Sequence, residues 1–255
     1  MKIKKIAMPQ EHGSWEFFFE PLILSLIIAY SYQGLMLFLA SSFIFLSHQP
    51  IRILFDKKIN KGDKRKALVF AVIYISIELI ALWQSIAGAE LKHFFPFSIA
   101  IVLMASFLTV EINTPKESFL ARLIPPLAVD LIAVSIVRLG GMKIPETIAF
   151  YFVLLGRSAL TAFYIKEKLN KLKQQYLNSA YIFLLHSLYL IILVFLSIGE
   201  LTPFTTIIAA IILLGRAVLG LRSNGKSNVR SIGIWEVIHG VIFVIVVSVG
   251  YLNNW

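Results

Sequence analysis

Apolar residues along this chain gather into long runs separated by short polar gaps. Nine runs reach the roughly 17–25 residues that an α-helix needs to cross the hydrocarbon core of a bilayer. They cover approximately 14–30, 35–54, 67–88, 94–111, 121–139, 145–165, 177–199, 203–221 and 234–252. Only residues 31–34 separate the first two, which predicts a tight turn. No low-complexity stretch and no long linker interrupts the pattern. It predicts an all-α fold, a polytopic transmembrane helical bundle of about nine helices, forming a single transmembrane domain over residues 1–255.

Composition agrees with that pattern. Of 255 residues, 58% are hydrophobic and 15% charged, with a mean hydropathy of +0.81. One soluble domain of this size has no interior large enough for so much apolar surface, so lipid is its solvent. There is no cysteine, which removes disulfides, thiolate zinc sites, iron–sulfur clusters and cysteine nucleophiles. The first eight residues are basic but lead into no apolar core, so they do not read as a cleavable signal peptide.

The net charge of +10 would suggest nucleic acid in a soluble protein, but here the basic residues sit in the gaps. Of 24 lysines and arginines, 19 fall in the N-terminal segment and in alternate gaps, the richest being Arg52 to Lys66. Only Lys92, Arg138 and Lys143 fall on the other side, and Arg157 and Arg216 lie inside runs. The positive-inside rule makes the 19-residue side cytoplasmic. The expectation is a multi-pass protein of a bacterial cytoplasmic membrane, N-terminus inside and C-terminus outside. Its expected partners are membrane lipids and not nucleic acid.

Charge inside a bilayer costs a few kcal/mol or more per group and marks pathways or sites. Given this topology, Glu16, His48, Arg52, Glu111, Arg216, Glu236 and His239 lie within about two turns of the cytoplasmic helix ends. Glu20, Glu78, Asp130 and His186 lie nearer the middle. Arg157 is about 13 Å from its cytoplasmic end, too deep to snorkel easily, and needs an acidic partner such as Glu78, Asp130 or Glu20, or an anionic ligand. Glu16, Arg52, Arg216 and Glu236 are close enough to the interface to snorkel. His186 reads as an interhelical hydrogen-bonding residue, and Lys166–Lys173 as a solvated helix end. The polar groups converge on a chamber open to the cytoplasm, with candidate ligand-binding residues His12, Glu16, His48, Arg52, Arg157, Arg216, Glu236 and His239.

Two spacings suggest metal. His12, Glu16 and Glu20 share one helix face at i, i+4, i+8, and Glu236 and His239 form a Glu-x-x-His pair. A di-metal site needs a second such pair, which is lacking, so no metal is assigned and the cofactor is left unspecified. Walker A, Gly-x-Gly-x-x-Gly and Gly-x-Ser-x-Gly motifs are absent. Leu155–Leu160 and Leu214–Leu219 echo one another around Gly156-Arg157 and Gly215-Arg216.

The run Pro9-Gln10-Glu11-His12-Gly13-Ser14-Trp15 resembles the YwiC-like family of bacterial membrane proteins. Further matching pieces are His48-Gln49-Pro50 with Arg52, Gly156-Arg157, Arg216 with Gly220, and Gly233 with Glu236. That family implies no settled biochemical role. The nine-helix layout is also similar to that of the UbiA prenyltransferase superfamily, which holds a prenyl diphosphate through magnesium and two aspartate-rich motifs. At the corresponding places this chain has Ser47-His48-Gln49-Pro50-Ile51-Arg52, and Arg157 followed by Lys166-Glu167-Lys168. Magnesium needs clustered oxygen ligands, so arginines would have to hold an anionic head directly. The resemblance implies a divergent UbiA-like enzyme binding an isoprenoid or quinone-type lipid. The alternative is a non-enzymatic membrane transporter or lipid-binding protein, favoured by the Gly-Arg echo and the midplane acids. The odd helix number argues against a simple inverted repeat.

Overall fold

A backbone surrounded by lipid must satisfy its own N–H and C=O groups, and an α-helix does so within one segment. The computed structural model describes residues 3–9, 12–113, 119–174, 179–222 and 228–254, and these form helices and connecting turns with no strand. A short helix α1 (Ile3–Ala7) comes first. Nine longer helices follow: α2 (His12–Ile28), α3 (Tyr32–Phe55), α4 (Lys61–Ile86), α5 (Phe95–Asn113), α6 (Phe119–Leu139), α7 (Ile144–Leu172), α8 (Ser179–Ile198), α9 (Thr205–Arg222) and α10 (Val229–Asn254). Six of them, α3, α4, α7, α8, α9 and α10, are long and apolar enough to cross a bilayer on their own.

Helix ends depart from the apolar runs where polar side chains carry the helix onward. The chain enters α4 six residues ahead of its run because the Asn60 side chain accepts the Asp63 N–H at 2.8 Å, capping a polar first turn. Helix α7 continues through Lys166–Leu172 because that segment has partners. Lys168 donates to the Tyr164 hydroxyl at 2.9 Å, Lys171 to the Leu221 carbonyl at 2.6 Å, and Tyr181 to Glu167 at 2.9 Å. Glu167 is buried, so this stretch is not the fully solvated end expected of it.

Consecutive helices pair as hairpins: α3 with α4, α5 with α6, and α8 with α9. Helix α6 also packs on α2, α3 and α7, and α7 on α8, α9 and α10. These two helices form the centre of the bundle. Leu22, Val134, Ile136, Phe150, Leu154, Leu193, Leu213 and Phe243 fill the shared core. Helix α4 stands at the edge and turns Val69, Val72, Leu79, Ile80 and Trp83 outward, as a lipid-facing helix should.

Between helices in lipid, close contact comes from small residues, because the hydrophobic effect no longer drives association. The Tyr189 ring of α8 lies directly on Gly156 of α7, and its hydroxyl donates to the Val153 carbonyl at 2.9 Å. The Tyr164 ring of α7 occupies the corresponding place at Gly220 of α9. A Cβ at Gly156 would fall within the Tyr189 ring, whereas one at Gly215 would meet nothing within 4 Å. Gly156→Ala should therefore lower the unfolding midpoint in detergent, at a cost of about 1–3 kcal/mol for the forced shift. Gly215→Ala should leave it unchanged or raise it slightly. Equal effects of the two would contradict this packing.

Candidate functional site

The opening motif seats the first turns of α2. The Trp15 indole N–H donates to the Pro9 carbonyl at 3.3 Å, and its ring packs on Phe19 and on Phe45 of α3. Glu16 and Glu20, one turn apart on the same face, then meet α7. On α7, Arg157, Thr161 and Tyr164 follow at i, i+4 and i+7, again one face. Helix α9 contributes Arg216 and α10 contributes Glu236. Arg157, Thr161, Arg216 and Glu236 are each no more than 5% exposed.

Arg157 is fully engaged. Its Nε donates to Glu20 Oε1 at 2.8 Å. Nη1 donates to Thr161 Oγ1 at 3.1 Å and to Glu236 Oε2 at 3.3 Å. Nη2 donates to Glu16 Oε1 and, at 3.0 Å, to the Glu236 carbonyl. A guanidinium has five N–H groups, and each has a protein acceptor here. Glu236 Oε2 also accepts Arg216 Nη1 at 2.5 Å, and Thr161 Oγ1 accepts Arg216 Nη2 at 3.1 Å. The Arg216 guanidinium lies 4.6 Å from the centre of the Tyr164 ring, while its buried Nε has no partner. One cluster thus joins α2, α7, α9 and α10. Gly240 makes room for it, since a Cβ there would collide with Glu20 Oε2 and stand 2.8 Å from Arg157 Nη2.

Beside the cluster, Asp130 of α6 is 1% exposed and accepts a hydrogen bond from the Ser158 hydroxyl. A narrow pocket runs between α2, α6, α7 and α10, lined by Phe17, Glu20, Pro21, Asp130, Arg157 and Ser158. Among the described residues, three acids (Glu16, Glu20, Glu236) pair with the two guanidinium groups, and a fourth, Asp130, stands beside them on Ser158. The arginines leave no surplus positive charge, and the site as a whole is acidic.

The structure unites Glu16, Arg157, Arg216 and Glu236 of the residues expected from sequence. His48 and Arg52 of α3 are exposed and bond to no member of the cluster. His239 is half-buried and bonds within its own helix, its Nδ1 2.7 Å from the Trp235 carbonyl. The side chains of His12 and Glu111 lie outside the described residues. Glu20 is a direct partner of Arg157, Asp130 pairs with Ser158 instead, and Glu78 on the outer helix α4 touches neither arginine. His186 is buried, but its Nδ1 donates to Ile182 of its own helix at 2.8 Å and its Nε2 has no partner. It is not the interhelical link expected. Among the described residues no three His, Asp or Glu side chains come together to hold a metal. Thr161, Tyr164 and Ser158 were not singled out from sequence, because neutral side chains carry no cost signal in lipid. Their i+4, i+7 and i+1 spacing from Arg157 was the available clue.

The sequence model of one family, described as YwiC-like protein, matches residues 8–137, just over half of the chain. The match takes in Glu16, Glu20 and Asp130 and stops short of Arg157. No curated protein and no solved structure matches the chain.

Thr161 accepts one hydrogen bond from each arginine. Thr161→Val keeps the shape and strands both donors, and should destabilise by about 1–3 kcal/mol. Thr161→Ser keeps the acceptor and should lose much less. Unfolding midpoints of the two variants check this, and equal losses would show that the hydroxyl does not link the arginines.

Proposed function

The chain belongs to the YwiC-like family, and we propose that it is a non-enzymatic membrane protein of the transporter class, binding a small charged solute at the Arg157 cluster. The observation that carries this reading is the saturation of Arg157 by Glu16, Glu20, Glu236 and Thr161. An anionic lipid head would have to displace carboxylates that the protein already supplies. A cluster of ion pairs joining helices is instead the kind of element that adopts two arrangements, as alternating access requires. The lysine- and arginine-rich loops support a cytoplasmic position for the cluster's nearer side. The proposed setting is a bacterial cytoplasmic membrane, with the N-terminus inside and the C-terminus outside.

The enzymatic alternative, a divergent UbiA-like protein acting on an isoprenoid or quinone-type lipid, has one observation in its favour. Arg216 Nε and His186 Nε2 are both buried without partners, so some capacity for an added polar group exists. Against it, the ends of α3 and α7 offer no clustered carboxylates. Gln49 donates to the Lys5 carbonyl at 3.2 Å, and His48 and Arg52 are exposed.

Purified protein in proteoliposomes carrying an internal pH dye should respond to imposed gradients of small ions with a flux that empty liposomes lack. Mass spectrometry should find no stoichiometric polyprenyl lipid. A bound polyprenyl or quinone lipid without flux would overturn the proposal in favour of the enzyme. Because the chain has no cysteine, orientation is tested with single-cysteine variants at exposed Phe55 and Phe204. An impermeant maleimide should label Phe204→Cys in intact cells and Phe55→Cys only after permeabilisation. The reverse pattern would invert the topology.

A further inference from the structure

We propose that the pocket between Glu20 and Asp130 is a binding site for a monovalent cation, a sodium ion or a proton, distinct from the arginine cluster but sharing Glu20 with it. The inference deepens the transporter reading by naming a coupling ion for it.

Three side chains with oxygen donors line this pocket. Asp130 offers a carboxylate whose Oδ2 accepts the Ser158 hydroxyl, while Oδ1 accepts from no described residue. Ser158 keeps lone pairs on its oxygen after donating. Glu20 gives one oxygen to Arg157 and turns the other toward Gly240. Pro21 sits inside α2 and has no N–H, so the Phe17 carbonyl loses its usual helical donor. Phe17 and Pro21 both line the pocket. Carboxylate, hydroxyl and helix-interrupted carbonyl are the donors that hard monovalent cations take inside membranes. The rest of the lining is the Arg157 guanidinium, whose N–H groups are held by its own acceptors, and the apolar Leu24, Leu154 and Phe243.

Charge makes the same demand. The described side chains place four carboxylates beside two guanidinium groups, and a buried charge without a counter-charge is costly. The shortfall of positive charge is met by protons or cations from solution. The titratable groups facing Asp130 are Glu20 of α2, Arg157 and Tyr151 of α7, and Tyr189 of α8. Arg157 is the one cation among them, and its N–H groups are taken. A cation that draws Glu20 toward Asp130 weakens the Glu20–Arg157 bond. By linkage, whatever binds the released Arg157 binds more tightly when the cation is present.

The test uses full-length protein in detergent. Its unfolding midpoint is followed as sodium chloride replaces choline chloride at fixed pH, and again as pH falls from 8 to 6 without sodium. The wild type should gain stability saturably in one arm, and that arm identifies the ion. Asp130→Asn should weaken the response at least tenfold in apparent affinity, and Ser158→Ala should weaken it less. If Asp130→Asn does not fold, Ser158→Ala still decides, since an unshifted response in it overturns the site. So do identical responses of wild type and Asp130→Asn, and so does the absence of any response in both arms. A cation response without solute flux in proteoliposomes would leave this site standing and remove the transporter reading. Flux indifferent to the cation and to Asp130→Asn would do the opposite.

Discussion

A guanidinium at the middle of a 29-residue helix is the constraint that orders this bundle. Arg157 lies about 13 Å from the cytoplasmic end of its apolar run, too deep for its side chain to snorkel easily. Its charge is tolerable only where acceptors surround it. Those acceptors come from α2 and α10 as well as from its own helix, so satisfying one side chain dictates which helices meet and at what register. Glu16 and Glu20 set the rotation of α2, and Glu236 that of α10. Arg216 enters through the same Glu236 oxygen and the same Thr161 hydroxyl, which brings in α9.

Packing then follows from chemistry. Helices can approach the cluster closely only where side chains are small, and Gly156, Gly220 and Gly240 stand at those places. The Gly-Arg echo is therefore only partly a structural repeat. Both arginines converge on Glu236 and Thr161, but Gly156 receives the Tyr189 ring while Gly215 faces open space. Removing one member of a buried pair typically costs about 3–5 kcal/mol. The cluster is for that reason both the chief support of the bundle and the element best placed to switch it.

Much of the fold was legible in the sequence, because lipid imposes both a length and a composition on every crossing segment. Each of the nine apolar runs corresponds to a long helix, with ends differing by a few residues. The differences arise where polar bonds extend a helix past its apolar run, as at Asn60 and Lys168, or where a helix is as short as α1. The acids and arginines of the site were legible as costly residues between the middle of the bilayer and the cytoplasmic helix ends. Their pairing was not, since sequence does not say which of nine helices are neighbours. Glu20 and Glu78 looked equivalent as partners for Arg157 until α2 proved central and α4 peripheral. His48 and Arg52 were drawn in by a motif at a helix end, where Ser47, Gln49 and Ile53 are buried but these two side chains are exposed and bond to no member of the cluster.

The central claim is that Arg157 and the acids of α2 are energetically coupled across the bundle. A double-mutant cycle of Arg157→Gln and Glu20→Gln tests it, with stability read from denaturant unfolding in detergent. The coupling should be about 1 kcal/mol or more, the double variant losing less than the two single losses combined. Losses that add to within about 0.5 kcal/mol would contradict the ion pair and the site built on it.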